Sequence, residues 1–447
     1  MLTLLVWLST LSTIDDSANW PAWRGAQRDG IAHEVTVPEE WPKALSRIWT
    51  IDVAGGLSSP IARDGRVYLL TRSGEREIVS CRAWKDGGAL WSSEYASPFV
   101  PNPHMDPPGQ FPVTRGHGPF ATPALAESSL LTLGSARVIT AWSLDGEKRW
   151  QKSFYAQPAA DLKALVCLPC GRPCDEKVFT EPGACPECDM ALAPKGLDTT
   201  GRYYGASSSP LVTGDHVIFH VGTAEVGQLV ALDVESGDVA WSLEEPPGYT
   251  SPIIATLGGT PQIVVLSRDA AIGVDASSGK ELWRYPLGNR AKVMTPVVVG
   301  DRIIVSGYQR PTEAIEILAS DEGWTAEPAW KSDLTLYMSS PVRIDGVLYG
   351  FSSKRQGQLF ALDIESGETL WTSDGRLGEN ATLVGLGSCL SALTTEGRLI
   401  IYRAIPTAFE ILADYNVSET PTWTTPVFWK NEILIKEAGA LTLWRVK

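Results

Sequence analysis

The sequence lacks most features that mark nucleic-acid-binding, membrane-spanning or common catalytic proteins. No run of Lys and Arg offsets a formal net charge of −14, and an acidic surface repels phosphate backbones, so we expect no nucleic-acid binding. No apolar stretch of about 18 residues occurs, which predicts no transmembrane segment. The motifs GxSxG, HExxH, the P-loop and GxGxxG after a strand are also missing, and we predict no catalytic residue.

The start of the chain is apolar and leads into Asp15 and Asp16. Residues 1–18 therefore predict a signal segment and an exported, periplasmic protein, although the basic region of such signals is missing, since the first basic residue is Arg24. A misassigned start is the alternative interpretation. No Cys stands where a lipoprotein signal requires one, so we expect no lipid anchor.

A repeat of about 43 residues runs through most of the chain. Each copy begins with small or hydroxyl residues and a Pro, continues through short β-rich runs to Ala-Leu-Asp, and closes with x-Ser-Gly-x-x-x-Trp. The clearest copies are 208–241 and 339–371. A chain of 447 residues exceeds the size of most single cores, but repeats avoid that limit because each unit packs mainly on its neighbours.

The repeat boundaries give the number of units. The opening Pro, which we call the opener, recurs at Pro60, Pro123, Pro210, Pro252, Pro296, Pro341 and Pro426. The gap of 85 residues between the last two is two periods, so we place a degenerate unit from Gly387 to Tyr415. The closing aromatics are Trp91, Trp150, Trp241, Trp283, Trp330, Trp371 and Tyr415. The last unit lacks a fourth strand, which residues 47–51 can supply, and that pairing closes the ring and removes the free sheet edge.

These units resemble the repeats of the pyrroloquinoline quinone (PQQ) β-propeller family. The resemblance and the count predict an all-β fold, an eight-bladed β-propeller of four-stranded blades over residues 47–447, preceded by a lead-in at 19–46. Many alcohol-oxidising members of that family have two adjacent cysteines against the quinone and Glu, Asn and Asp around a calcium ion. This sequence has no Cys-Cys pair and no such calcium set that we can assemble, so we do not expect PQQ as a cofactor.

Two spacings between openers exceed the period, and long insertions of this kind are usually functional or disordered. The first insertion, from Ala96 to Gly118, is rich in Pro and Gly and holds His104, Met105, Arg115 and His117. Two histidines invite a metal site, but they have no ligand-like spacing and no nearby carboxylate pair. We therefore expect an ordered lid or contact loop over one face of the disc.

The second insertion holds a cysteine module at residues 160–200. It has two CxxC pairs, and paired CxxC turns at this spacing are typical of a tetrahedral zinc site with four thiolates. The predicted ligands are Cys167, Cys170, Cys185 and Cys188. So small a segment has little core, and a metal would supply its folding energy. Disulfides in an oxidising compartment are the alternative, and Cys174 is either spare or an alternative ligand.

The segment from Pro182 to Leu192 resembles the small heavy-metal-binding domain of metal-efflux proteins. That family typically has Cys-Pro-Met-His at its first turn, where this chain has Cys170 at the His position, and a Gly where this chain has Asp189. These departures favour a structural zinc ribbon over a labile carrier of soft metals. The two remaining cysteines, Cys81 and Cys389, fall in blade strands, where we expect them to be buried and inert.

A hydroxyl residue precedes each opener, and we call this set the hydroxyl ring: Ser59, Thr122, Ser209, Ser251, Thr295, Ser340 and Thr425. Because the first strand of each blade lines the central channel of a propeller, the ring would lie at the mouth of that channel. It could form a shallow polar site for a ligand or peptide. Alternatively the hydroxyls satisfy backbone groups where Pro has removed a donor, and their repetition favours this structural role.

Taken together, these features favour a non-catalytic, monomeric propeller scaffold that binds proteins or other components of the cell envelope and carries a structural zinc module. The outer-membrane-assembly propeller lipoprotein has a similar architecture, but its lipid anchor is not expected here. A PQQ-dependent oxidoreductase is one alternative. A metal sensor or metallochaperone that acts through the cysteine module is another.

Overall fold

The protein is described here by a computed structural model that places residues 19–99, 118–154, 161–167, 172–181, 183–189, 192–195, 205–223, 226–288, 293–307 and 310–447. The predicted signal segment at 1–18 lies outside these ranges. Eight four-stranded antiparallel sheets and one three-stranded sheet make up the described part, so the predicted eight-bladed β-propeller is confirmed. Across these ranges, no helix combines the length and the apolar character needed to cross a bilayer.

Blades 1 to 7 each run from an inner to an outer strand in chain order, and blade 8 takes its outer strand from the start of the chain. Blades 1 to 4 comprise β2–β5 (Ile61–Arg63, Arg66–Ser73, Arg76–Ala83, Ala89–Ala96), β6–β9 (Ala124–Leu125, Ser129–Leu133, Val138–Ser143, Lys148–Ser153), β13–β16 (Leu211–Thr213, His216–Gly222, Gly227–Asp233, Val239–Glu244) and β17–β20 (Ile253–Leu257, Thr260–Leu266, Ala270–Asp275, Glu281–Pro286). Blades 5 to 7 comprise β21–β24 (Val297–Val299, Arg302–Gly307, Arg310–Ser320, Gly323–Thr335), β25–β28 (Val342–Ile344, Val347–Ser352, Gln358–Asp363, Thr369–Thr372) and β29–β32 (Ala381–Gly385, Cys389–Thr394, Arg398–Arg403, Ile411–Asn416). Blade 8 comprises β33–β35 (Val427–Trp429, Glu432–Lys436, Ala440–Arg445) and β1 (Ser46–Asp52).

The Asp-x-x-Ser-Gly motif forms the tight turn between the third and fourth strands of a blade. In blade 3 the carboxylate of Asp233 accepts hydrogen bonds from the backbone N–H groups of Glu235 and Ser236 at 3.0 and 2.7 Å. These bonds, led by that of Ser236, lower the pKa of Asp233. Gly237 follows at a φ of +73°, a conformation that Gly adopts without strain. The sequence motif is therefore a local turn signal.

The closing Trp of one blade docks on the turn between the third and fourth strands of the next blade. The indole Nε1 of Trp91, Trp150, Trp241, Trp330 and Trp371 donates to the carbonyl oxygens of Leu144, Val234, Ala276, Ile364 and Ile405, respectively, at 2.8–3.3 Å. Beneath four of these rings lies the turn glycine of the next blade, where an added Cβ would come within 2.4–2.7 Å of the indole: Gly146, Gly237, Gly279 and Gly367. This turn, which has the Asp-x-x-Ser-Gly motif in blades 3, 4 and 6, therefore also joins successive blades.

Ring closure relies on the same docking of a closing Trp on the turn of the next blade. Strand β1 pairs antiparallel with β35, as the count of openers and closing aromatics predicts. Trp49 of β1 donates its Nε1 hydrogen to the carbonyl of Trp84 in blade 1 at 2.9 Å, and Gly87 lies against its ring. The N-terminal strand thus supplies both the missing edge and the missing closing Trp of blade 8.

The closing Trp of blade 4, Trp283, does not dock on the next blade, because blade 5 has a different outer hairpin. In blade 5 the third and fourth strands extend into a long hairpin of 11 and 13 residues, which replaces the short turn that the other blades offer. Trp283 therefore turns to its own blade and donates to the buried amide oxygen of Gln262 at 2.6 Å. The substitution of one partner for another keeps the indole N–H satisfied.

The degenerate seventh unit begins earlier than the sequence predicts. Its inner strand is β29, whereas Gly387 and Ser388, taken above as the opener, form the turn before the second strand, which starts at Cys389. The prediction is wrong because this blade has no Pro at its opening, and the turn at Gly387 and Ser388 has the small and hydroxyl residues that mark the openings of the other blades. Its closing residue Tyr415 is correctly placed, and the hydroxyl donates to the carbonyl of Pro42 in the lead-in at 2.7 Å.

The hydrophobic core lies between blades. Seven clusters of buried side chains each span adjacent blades, and together they run from the blade 1–2 interface around to the cluster that joins blades 7, 8 and 1. Because each blade buries its faces only against its two neighbours, the packing is that of a closed one-dimensional array. This is why one continuous fold accommodates so long a chain.

Candidate functional sites on the opener face and in the cysteine module

The first strand of every blade starts on one face of the disc, which we call the opener face. Strands alternate in direction, so the connection from an outer strand to the next inner strand also lies there. Both long insertions are connections of this kind, the first between β5 and β6 and the second between β9 and β13. The opener face therefore collects the irregular parts of the chain.

The hydroxyl ring is a circuit of hydrogen bonds between blades. Backbone N–H groups of Ser59, Thr122, Ser209, Thr295 and Thr425 donate to the hydroxyl oxygens of Thr122, Ser209, Ser251, Ser340 and Ser59, respectively, at 2.9–3.2 Å. All seven ring residues are buried, with exposures of 1–8 %. The hydroxyls thus serve neighbouring backbone, which is the structural role that their repetition favours.

Two arginines of the lead-in contact openers on two sides of this ring. The Nη atoms of Arg24 donate to the carbonyl oxygens of Ser340 and Pro341 in blade 6, at 3.0 and 2.7 Å. Those of Arg28 donate to Ser209 and Pro210 in blade 3, at 3.1 and 2.5 Å. Blades 3 and 6 lie nearly opposite each other in a ring of eight, so the pair spans the channel mouth.

Burial sets the electrostatics of this arginine pair. It lowers the pKa of Arg24 to about 10 and that of Arg28 to about 9, and the positive charge of Arg24 adds to the effect on Arg28. Both guanidinium groups remain protonated at neutral pH. Backbone carbonyls at the openers take the place of carboxylate partners, and such charge-assisted bonds are stronger than neutral ones. The lead-in is therefore fixed across the channel.

The arrangement does not fit PQQ, the cofactor that the propeller family suggests. Both guanidinium groups lie at the openers, and their Nη donors are used on backbone carbonyls. No adjacent cysteine pair occurs in the chain. We therefore derive no reaction step through a quinone.

A buried ionic group lies on the opener face where the first insertion leaves blade 1. Glu77 is fully buried and accepts hydrogen bonds from the Tyr95 hydroxyl at 2.6 Å and from the Ser135 backbone N–H at 2.8 Å. Arg72 lies 3.4 Å from the same carboxylate. Burial, and then the charge of Glu77, raises the pKa of Tyr95 well above its usual value. The insertion residues named above, His104, Met105, Arg115 and His117, lie outside the described ranges.

Lys436 is another buried cation on this face. Its side chain is fully buried at the end of β34, and its Nζ donates to the carbonyls of Gly56 and Glu437. Burial lowers its pKa from 10.5 to about 8. Because the charged form has only carbonyl partners, the side chain costs stability wherever it is protonated.

The cysteine module is a small three-stranded sheet in the second insertion. Its strands are β10 (Asp161–Val166), β11 (Val178–Phe179) and β12 (Ala193–Lys195), in the order β11-β10-β12. Its apolar cluster contains three buried cysteines, with Phe179, Cys188 and Leu192 packed partly buried against them. Such a core is too small to stabilise a fold by burial alone.

Four thiols converge in this module. The Sγ atoms of Cys167, Cys174, Cys185 and Cys188 all lie within 4.8 Å of one another, and all but Cys188 are buried. Three of the four predicted ligands are thus brought together. The fourth, Cys170, lies outside the described residues, whereas Cys174, the residue taken above as spare or alternative, is part of the group. The Cys167 and Cys188 sulfurs are 3.2 Å apart, well beyond a disulfide bond of about 2.05 Å.

The two blade cysteines are of another kind. Cys81 in β4 and Cys389 in β30 are almost fully buried, and burial raises the pKa of each thiol to about 11. A thiol with so high a pKa is a poor nucleophile and a poor metal ligand at neutral pH. They pack as small apolar residues in the strands.

Sequence reasoning missed the arginine pair, Glu77 and Lys436. The signal for the pair was present in the lead-in, where Trp23-Arg24-Gly25 is followed by Arg28-Asp29-Gly30. Their partners, however, lie 181–317 residues away in the sequence, so no local pattern identifies them. Glu77 and Lys436 fall in strands, where a charged residue is normally read as solvent-facing.

Comparison with known proteins relates the chain to one family. A family profile described as outer membrane protein assembly factor BamB matches residues 75–373. This range contains the third and fourth strands of blade 1, all of blades 2 to 6 and the cysteine module. No curated protein matches the chain.

Solved structures share the fold at low sequence identity. BamB from Moraxella catarrhalis is similar with a TM-score of 0.60 and 16 % identity, over 90 % of this chain and 98 % of that one. A quinohemoprotein alcohol dehydrogenase from Pseudomonas putida HK5 has a TM-score of 0.61 and 12 % identity, over 96 % and 80 %. The corresponding enzyme from Comamonas testosteroni gives 0.58 and 13 %, over 96 % and 80 %. At these identities the likeness shows the fold alone.

Proposed function

The chain belongs to the family of the outer membrane protein assembly factor BamB, and from this membership we propose that it is a non-catalytic propeller that binds protein partners of the cell envelope. The observation that carries the proposal is the arginine pair, because its Nη donors are committed to structural contacts with the openers of blades 6 and 3. We propose further that the protein is exported to the periplasm by the segment 1–18 and acts there as a monomer.

The binding surface we propose is the opener face around blades 5 and 6. A groove of about 300 Å³ lies there, lined by Asp333, Leu334, Lys354, Arg355, Gln358, Thr369 and Thr372. Lys354 and Arg355 are exposed in the connection between β26 and β27, and Lys354 donates to the Asp333 carbonyl at 2.7 Å. On a chain with a net charge of −14, an exposed basic pair favours an acidic segment of a partner.

A capture experiment from envelope extract tests this proposal. The tagged protein, its Arg355→Glu variant and a Lys280→Glu variant serve as baits; Lys280 is also exposed but lies at a turn on the opposite face. We expect the wild type and Lys280→Glu to retain the same envelope protein and Arg355→Glu to lose most of it. Equal capture by all three baits would contradict the proposed face, and PQQ-dependent dye reduction by the purified protein would contradict the non-catalytic assignment.

We also propose that the cysteine module holds one structural zinc ion through thiolates, with Cys167, Cys185 and Cys188 among the ligands. The convergence of the thiols and the small core of the module support this. Elemental analysis of the purified protein should give one zinc per chain, lost in Cys167→Ser. No metal together with blocked thiols would favour disulfides, and a preference for copper would favour a metal sensor or metallochaperone.

A further inference from the structure

We propose that Cys174 supplies the fourth thiolate of the module, so that the metal site is formed by Cys167, Cys174, Cys185 and Cys188. This inference rests on the metal binding proposed above and names its ligand set. The sequence motif favours Cys170 instead, because Cys170 completes a CxxC pair with Cys167. The spatial arrangement of the described thiols favours Cys174.

Burial is the first argument for Cys174. Its side chain is fully buried, like those of Cys167 and Cys185, which are 3 % and 1 % exposed. A thiol that faces three others in the centre of a module with almost no apolar core has no packing role that a smaller or more apolar residue could not fill. As a thiolate on a metal, it closes a site that is shielded from water, which is the form of a structural site.

A local turn holds Cys174 in position. A short 3-10 helix spans Pro173–Glu176, with Pro at its first position, where its missing N–H is not needed. The N–H of Asp175 donates to the carbonyl of Arg172 at 3.0 Å, and that of Lys177 donates to the carbonyl of Cys174 at 3.1 Å. The residue is thus fixed on both sides by backbone hydrogen bonds, as a ligand position requires.

A tight turn carries the two thiols on the opposite side of the site. The N–H of Asp189 donates to the carbonyl of Cys185 at 2.8 Å, and Asp189 itself adopts a φ of +63°. The N–H of Leu192 bonds to the carbonyl of Gly183 at 2.9 Å and closes the segment. Two thiols from this turn, one from the end of β10 and one from the 3-10 helix therefore meet from three elements.

The distances suit a tetrahedral ion. Zinc–sulfur bonds of about 2.3 Å at tetrahedral angles place sulfurs about 3.8 Å apart. The four Sγ atoms lie within 4.8 Å of one another and one pair is at 3.2 Å, so shifts of under about 1 Å bring all four to bonding distance. A tetrahedral set of four sulfurs selects zinc or iron rather than calcium or magnesium.

A hydrogen bond and an ion pair connect the segment of Cys174 to the turn that carries Cys185 and Cys188. Arg172 donates to the Glu187 carbonyl at 3.0 Å, and Lys177 forms an ion pair with the Glu187 carboxylate. Arg172 and Lys177 flank Cys174, and Glu187 lies between the two cysteines of the turn, so these contacts hold the thiols of the two segments next to each other.

The experiment compares Cys174→Ser with Cys170→Ser in the full-length protein. Each is purified under reducing conditions, assayed for zinc by elemental analysis, and titrated with cobalt(II), whose thiolate charge-transfer absorption reports the number of bound sulfurs. We expect Cys170→Ser to keep one zinc per chain and the wild-type cobalt spectrum. Cys174→Ser should bind at least roughly 100-fold more weakly, since even the loss of an outer-shell partner costs about 10- to 100-fold.

A third variant separates loss of a ligand from loss of the fold. Cys174→His offers a nitrogen ligand, so it should recover metal binding with a cobalt spectrum of three sulfurs and one nitrogen. Full binding by Cys174→Ser together with loss in Cys170→Ser would overturn the assignment of Cys174 and leave metal binding intact. Failure of the fully reduced wild type to bind zinc or cobalt would overturn both.

Discussion

The docking of each closing Trp on the next turn glycine can be tested by a matched pair of substitutions in blade 3. Gly237 has a φ of +73°, and an added Cβ would lie 2.7 Å from the indole of Trp150. Gly214, in another turn of the same blade, has a φ of +55° and nothing within 4 Å of an added Cβ. Gly237→Ala and Gly214→Ala therefore share a backbone penalty but differ in the contact with Trp150.

The expected magnitudes follow from the two terms. A non-Gly residue in the left-handed region costs about 1–2 kcal/mol, and this applies to both variants. Overpacking a tight interface costs about 1–3 kcal/mol more, and it threatens the 2.9 Å hydrogen bond from Trp150 to the Val234 carbonyl. We expect the free energy of unfolding to fall by about 1 kcal/mol in Gly214→Ala and about 3 kcal/mol in Gly237→Ala.

Equilibrium unfolding in urea, followed by tryptophan fluorescence and far-UV circular dichroism, measures both values. A double-mutant cycle provides the control: in a Trp150→Ala background, Gly237→Ala should cost no more than Gly214→Ala does, because the indole is gone. If the two single variants differ by less than about 0.5 kcal/mol, the spread ordinarily found for independent sites, the close approach of Trp150 does not stabilise the blade interface and the reasoning fails.

Three further outcomes are expected. First, between pH 8 and 10.5 Lys436 is neutral in the folded protein but still charged in the unfolded chain, so the unfolded chain binds more protons and stability rises with pH. In urea titrations, the unfolding free energy of the wild type relative to Lys436→Met should therefore increase by about 3 kcal/mol across this window. A difference that does not change with pH would contradict this expectation. Second, Arg24→Met should lower stability by about 3 kcal/mol because buried carbonyls lose charged donors, whereas Met at the exposed Arg343 should change it little; similar losses would refute the role of the pair. Third, thiol reagents at pH 8 should leave Cys81 and Cys389 unmodified in the native protein, because thiols with a pKa of about 11 are almost wholly protonated, and should label them after unfolding. Mass spectrometry measures the labelling, and rapid labelling of the native protein would contradict this expectation.

The sequence predicts the blades well because the signals that define them are local. An opening Pro, an Asp-x-x-Ser-Gly turn and a closing Trp all act within one repeat or its neighbour, and the count of these signals yields eight blades and the pairing of β1 with β35. The seventh blade shows where prediction from local signals fails. Without an opening Pro, the turn at Gly387 and Ser388 was mistaken for the start of the inner strand, because hydroxyl and Gly residues are common to both features.

The site was less predictable because its partners are distant in the sequence. Arg24 contacts opener carbonyls of blade 6 and Arg28 those of blade 3, and these carbonyls come within reach of the lead-in only when the ring closes. The ligand set of the cysteine module could not be predicted fully for the same reason. Spacing identifies Cys167 and Cys170 as a pair, but the position of a thiol depends on the turn that carries it, and the structure groups Cys174 with Cys167, Cys185 and Cys188.

The sequence by itself determined that this protein is a ring of eight similar β-sheets with a cysteine-rich insertion, since strand, turn and closing residue are encoded within each repeat of about 43 residues. Only the tertiary structure decided what occupies the mouth of the channel and which thiols meet. Both depend on the closure of long loops, which places residues far apart in sequence side by side, and no local pattern of residues specifies that geometry.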